Sequence, residues 1–299
     1  MDFSKIKIPG FSIHTNEQKL AIIQKAITKK TGSRLKTLKI SSPPVFDVSF
    51  ANYNLSNSDY HKTPFVSSSQ LKRLKKSEKH YLDASLMQYG SATKNSFAMG
   101  TLMHDDLENK IKTGEWMQWK AGTFKTKTTI KLASLEVHES TMKVIERYRK
   151  EFETDEILNK ILMCADSEVS FFDHDDNEEE EEEEENKGTK IRTDAVLKIG
   201  DRLEIVDFKS VADIERFKWD LINYSYDISA GMYTETLEKL TGYKVGFTFV
   251  LICKKTGLTK IVEVTDATME TYKERFHQLK TAAAKIDNSN PKGYELEVF

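Results

Sequence analysis

Asp207 and Lys209 stand two residues apart in the run LEIVDFK, residues 203–209. The run is rich in Leu, Ile and Val and alternates as a strand does, so Leu203, Ile205, Asp207 and Lys209 share one face. Neighbours at that spacing lie roughly 6–7 Å apart at their backbones. The preceding run, Lys190 to Lys198, reaches it through Ile199-Gly200-Asp201-Arg202, and Gly with Asp between two β-rich runs is a hairpin signal. Across that hairpin Asp194 can reach the same patch. Two carboxylates and a lysine meeting at a strand end suit the holding of Mg²⁺ and the steering of a water.

A second candidate follows Met99-Gly100-Thr101, where His104, Leu107, Glu108 and Ile111 fall at helical spacing on one face. His104 is then either a satisfied core histidine beside a partly buried Glu108 or, with further acids on that face, a metal ligand. Ser67-Ser68-Ser69 offers N-caps for a helix to about Leu82, with Leu71, Leu74 and Tyr81 inward. Lys72, Arg73, Lys75, Lys76 and Lys79 decorate its other faces, as a solvated surface or as phosphate contacts. Residues 120–131 hold four lysines, Lys125 and Lys127 among them, and read as a basic loop or helix start. Trp116 and Trp119 just before are core residues or a surface for stacking bases.

These residues need a scaffold, and the chain can build one. Its 299 residues suffice for one large or two modest domains, and 38% hydrophobic content with 16 Phe and 11 Tyr supports a core. No apolar run approaches the roughly 20 residues of a membrane span, and the polar start carries no signal-peptide pattern. Cys164 and Cys253 lack C-x-x-C partners and read as reduced core residues of a cytoplasmic protein. The formal charge of −2 conceals an asymmetry: residues 173–185 hold three Asp and eight Glu, and without those eleven acids 45 bases face 36 acids, or +9. A basic body fits a polyanion such as DNA.

Residues 1–66 read as an N-terminal arm, with a helix over Asn16 to Lys30 and Pro- or Asn/Ser-rich linkers after it. Helical spacing recurs over 132–162, and Glu168 to Phe172 reads as a strand. The acidic insertion 173–187 reads as a solvated loop at a hairpin tip. Asp227 to Leu240 is a predicted helix with Ser229 and Tyr233 on one face. Strands over Tyr243–Lys254 and Leu258–Val264 follow, then a helix over about 267–286 capped by Thr265 or Asp266. This order predicts one α/β domain over 67–299, a central mixed β-sheet flanked by helices.

Taken in order, SNSDYHKTPFVSSSQLK, GTLMHDDLE, SEVSFF, KIRTDAVL, EIVDFKSV and YDISAGMY resemble the RecE/RecB-type exonucleases, exodeoxyribonuclease VIII-like members of the PD-(D/E)XK superfamily common in phages and prophages. The resemblance covers roughly residues 52–250. It implies a restriction-endonuclease-like core and a metal-dependent DNA exonuclease that works at duplex ends, in the 5′–3′ direction, for recombination or phage DNA processing. It also implies roles: His104, Glu168, Asp194 and Asp207 as ligands of Mg²⁺, with Mn²⁺ a plausible substitute, and Lys209 as the group that orients the attacking water. Tyr233 matches the tyrosine of a Gln-x-x-x-Tyr motif, but the glutamine is Ser229 here, which puts substrate positioning in doubt. Related enzymes form rings and work with single-strand annealing proteins. The glutamate run is foreign to the family, and residues 1–50 find no counterpart. Two other readings remain: a single-strand or flap nuclease, and a catalytically weak DNA-end-binding scaffold.

Overall fold

The computed structural model describes residues 43–89, 91–126, 129–174 and 188–291, with only the backbone of 91–95. The predicted Asn16–Lys30 helix, most of the acidic insertion and Lys127 lie outside these residues.

The chain opens with β1 (Ala51–Asn52) and three short helices, α1 (Asn57–Lys62), α2 (Ser68–Leu74) and α3 (Glu78–Leu82). The helix expected over Ser67–Leu82 is therefore broken. Ser67 and Gln70 form a capping box at the start of α2, but the Ser77 hydroxyl accepts from the His80 N–H and begins a new helix. Next come α4 (Ser91–Thr113), β2 (Lys120–Gly122), β3 (Ile130–Lys131), β4 (Glu136–His138), α5 (Glu139–Thr154) and α6 (Glu156–Cys164). Lysine-rich 120–131 is thus part of a small sheet, β2-β4-β3, and not a helix start. The helical stretch expected over 132–162 begins only at Glu139. It divides at Asp155, whose carboxylate accepts from the N–H groups of Ile157 and Leu158 and caps α6.

The remaining elements are β5 (Asp166–His174), β6 (Gly188–Ile199), β7 (Arg202–Val211), α7 (Phe217–Asn223), α8 (Tyr226–Thr241), β8 (Lys244–Cys253), β9 (Thr259–Val264) and α9 (Asp266–Ala283). Thr265 caps α9, and Gly242 ends α8 at a φ of 69° that glycine adopts freely. The main sheet has six strands in the order β1-β5-β6-β7-β8-β9. Among the described strands of this sheet only β7 and β8 run parallel, because α7 and α8 carry the crossover between them.

Alternation on the central strands sorts the core into two layers. Leu203 and Ile205 of β7, with Phe247 and Phe249 of β8, pack against α2, α8 and α9 through Leu71, Met232 and Phe276. Val206, Phe208, Val250 and Ile252 face the other way onto α4, α5 and α6, through Leu102, Phe152 and Ile161. Both faces of the sheet are covered, as a partly parallel sheet requires. Phe46, Ala51 and Val66 belong to the first layer, so residues 43–66 pack on the body. Cys164 and Cys253 are buried and free. No helix among the described residues is long and apolar enough to cross a membrane.

Candidate active site

The site lies where two strands part. β6 and β7 pair from Ile199–Arg202 to Ala195–Val206, while β7 continues through Asp207–Val211 paired with β8. Asp194 is the first β6 residue past that fork. Its Oδ2 accepts from the Phe208 N–H at 2.8 Å, so the carboxylate occupies the place of a ladder partner and is held rigidly.

Opposite Asp194 stands Glu168 of β5, between the pairs Ser167–Ala195 and Val169–Thr193. Its φ is 54°, left-handed backbone in the middle of a strand. A non-glycine residue held there costs roughly 1–3 kcal/mol, and such residues gather at functional sites. The third participant comes from α4. That helix approaches β7 so closely at Gly100 that an added Cβ would lie 3.1 Å from the Ser210 hydroxyl. One turn on, His104 places Nδ1 3.5 Å from Asp194 Oδ2. His104, Glu168 and Asp194 each offer a donor atom within 4.8 Å of the others.

Burial, with Asp194 and Glu108 nearby, pushes the Glu168 carboxyl up to about 8, against the Arg192 guanidinium, whose Nε lies 3.8 Å away. Carboxylates crowded by their neighbours, with one imidazole, suit a hard divalent ion such as Mg²⁺ or Mn²⁺. The donor set fits. Asp207 is not in this cluster: its Oδ2 lies 2.6 Å from Lys209 Nζ. Burial raises the Asp207 carboxyl despite that ammonium. For Lys209, burial favours the neutral amine, but Asp207 and Asp194 outweigh it and hold the ammonium charged above its ordinary range.

Lys209 Nζ sits 5.2 Å from the centre of the Tyr226 ring, and Lys72 Nζ sits 5.4 Å from the same centre. Burial and the Lys209 charge lower Lys72 to about 8. Lys72 is thus inside the site, whereas its sequence setting suggested a helix surface. Tyr233 is hydrogen-bonded to Ser68 and near enough to Asp207 and Asp194 to feel their charge; burial raises its hydroxyl well above the usual range. Ser229 is buried in the same helix, α8.

A groove of about 1630 Å³ runs over the site, and Lys72, Lys76, Arg73, His104, Glu168 and Arg192 line it. The other basic candidates have varied positions. Arg73 braces α2 against α3, donating to the His80 and Tyr81 carbonyls at 2.8 and 3.3 Å. Lys75 donates to Ser225 Oγ at 2.6 Å. Lys125 is exposed outside the groove lining. Sequence reasoning passed over Arg192 and Tyr226. Arg192 shares the alternation that leads to Asp194, which is a readable signal. Tyr226 opens α8, and nothing local marks it. Trp119 is core: its Nε1 donates to Asp106, a buried carboxylate that also holds Tyr148 and Arg149.

Residues 67–293 match the family described as a PDDEXK-like domain of unknown function (DUF3799). The chain belongs to this family. Its α/β fold, a mixed sheet flanked by helices, is the PDDEXK-like fold expected from the ordered motifs. Among solved structures, it is similar to a Eubacterium rectale protein whose proposed activity is that of an exonuclease. The two are 19% identical with a TM-score of 0.54, over 82% of this chain and 91% of the other. At that identity the likeness shows the fold. No curated protein matches the chain.

Proposed function

We propose that this PDDEXK-like protein is a metal-dependent DNA nuclease, an exonuclease of the RecE/RecB type that removes nucleotides from duplex ends. The observation that carries the reading is the cluster of His104, Glu168 and Asp194, adjoining the Asp207–Lys209 pair in a groove lined by Lys72, Lys76 and Arg192. A divalent ion held there would activate a water and offset the negative charge developing on the phosphoryl oxygens. The chain's own residues do the rest. His104, Glu168 and Asp194 would hold the ion, with Asp207 beside them. Lys209, kept charged by two carboxylates, orients the water and faces the developing negative charge. Lys72 and Lys76 hold the backbone through phosphates, which gives salt-sensitive binding without sequence readout. Tyr233 buttresses the carboxylates from α8, and Ser229 stands where related enzymes have a glutamine. Mg²⁺ is the expected ion, 5′–3′ the expected direction, and recombination or phage DNA processing the expected setting.

The test is degradation of end-labelled linear DNA and closed circular DNA in Mg²⁺, Mn²⁺ or EDTA. Stepwise loss from the ends of the linear form, none from the circle and none in EDTA is expected. Equal attack on the circle overturns the exonuclease reading, and full activity in EDTA overturns the metal centre.

A further inference from the structure

The face of α4 that carries His104 does not stop at the metal cluster. Phe97, Thr101, His104 and Glu108 follow helical spacing, and all four line the groove. Seven residues separate Phe97 from His104, about 10 Å along the helix axis. Phe97 is 52% exposed and meets Tyr89, 43% exposed, edge to face with ring centres 5.1 Å apart. Tyr224, 60% exposed, also lines the groove, 5.7 Å from the Tyr226 ring that Lys72 and Lys209 share. Three large rings are thus presented to solvent along a groove that also carries Lys72 and Lys76, the Glu108-paired Lys112, and the carboxylates Asp105 and Asp220.

Exposed rings sharing one groove with Lys72 and Lys76 match a particular ligand. Bases that have left a duplex expose their faces and stack on aromatic side chains, while the adjoining phosphates meet the cations. Paired bases are already stacked on one another and offer the groove only their edges and backbone. Exposed rings therefore favour the unpaired strand. We infer that the groove takes a single DNA strand, with bases stacked on the Tyr89–Phe97 pair and on Tyr224, so that a duplex end must fray before its strand reaches His104. The inference rests on the nuclease reading for what happens at His104, but not for the binding itself.

Binding is therefore measured in EDTA, by fluorescence anisotropy with labelled oligo-dT, an abasic oligonucleotide of equal length and a blunt duplex. The Tyr89→Ala/Phe97→Ala pair and Tyr224→Ala should each weaken oligo-dT binding about tenfold, since one stacked base is lost. The abasic strand and the duplex should change little. Tyr224→Phe, which keeps the ring, should bind oligo-dT as the wild type does. Equal losses for all three ligands, or none for oligo-dT, overturn the inference. So does a self-association of the wild type, seen by sedimentation, that the variants abolish without a change in DNA affinity. Because no metal is present, failure here is separate from failure of the nuclease assay.

Discussion

Lys72 and Lys209 hold two ammonium groups within 5.4 Å of one ring centre, where burial makes their repulsion costly. A phosphate between them would relieve that repulsion, which ties Lys72 to the reacting group more closely than its neighbours on α2. Lys72→Ala is expected to lower kcat about 10²-fold, the usual scale for one charge-stabilising donor, without lowering the melting temperature. Lys76→Ala should instead weaken DNA binding and reduce its salt dependence, with kcat unchanged. Matching effects of the two variants on kcat would refute the distinction. Asp207→Asn or Lys209→Ala should abolish cleavage while DNA binding survives. His104→Ala should raise the Mg²⁺ or Mn²⁺ concentration needed for activity; a lower melting temperature with an unaltered metal titration would return His104 to the core. Glu168 adds a pH dependence. Its carboxyl is raised from the usual 4.5 to about 8, so between those values the metal-free folded protein binds more protons than the unfolded chain. Stability of the metal-free protein should therefore fall as pH rises from 4.5 to 8, and Glu168→Gln should flatten that slope in a series of thermal melts.

Among the elements, the fork between β6 and β7 and the seat of α8 do most to hold the site. The fork frees the Phe208 N–H for Asp194 and leaves Asp207 and Lys209 beyond the last β6 pair. Helix α8 brings Tyr226 and Tyr233, and α9 backs it at Gly231, where an added Cβ would overlap the Tyr272 carbonyl. Backbone cannot yield as a flexible side chain can. Gly231→Ala should thus destabilise the fold by about 1–3 kcal/mol, the scale of overpacking, read as a lower urea midpoint. An unchanged midpoint would mean that the two helices separate at no cost and that the α8 seat is not fixed by this contact.

For the whole molecule, charge is divided unevenly: the eleven acids of residues 173–185 offset a body of +9. The two ends of the insertion are adjacent, since His174 pairs with Gly188 at the tip of the β5–β6 hairpin. From Gly188 to Asp194 is about 20 Å of strand. A polyanion attached there would compete with DNA for the basic body, and salt would screen that competition. Replacing 178–185 with a Gly/Ser linker is expected to tighten DNA binding at low ionic strength, with the gain shrinking as salt rises. Equal affinities across the titration would leave the insertion without a role in binding.

The Asp207–Lys209 pair, the hairpin that carries Asp194 and the mixed sheet were legible because they follow local rules. Side chains alternate along a strand, and Gly-Asp turns a chain whatever lies elsewhere. Helix ends at Ser77 and Asp155 had local signals too, but the apolar spacing that runs through both breaks concealed them. The cluster of His104, Glu168 and Asp194 was a different matter. Helical spacing gave His104 a face without saying what that face would meet; the seat of α4 on β7 at Gly100 is what brings its imidazole to Asp194. Lys72 looked like one basic residue among several, because the Tyr226 ring beside it comes from a helix far along the chain. Glu168 acquired its place from the family resemblance, since left-handed backbone in a strand of ordinary β-formers contradicts local propensity. The sequence by itself determined the elements, the alternation and the acid–lysine pair. Tertiary structure decided which carboxylates, imidazole and rings share one groove, because such meetings depend on packing between distant elements, and no local periodicity encodes that.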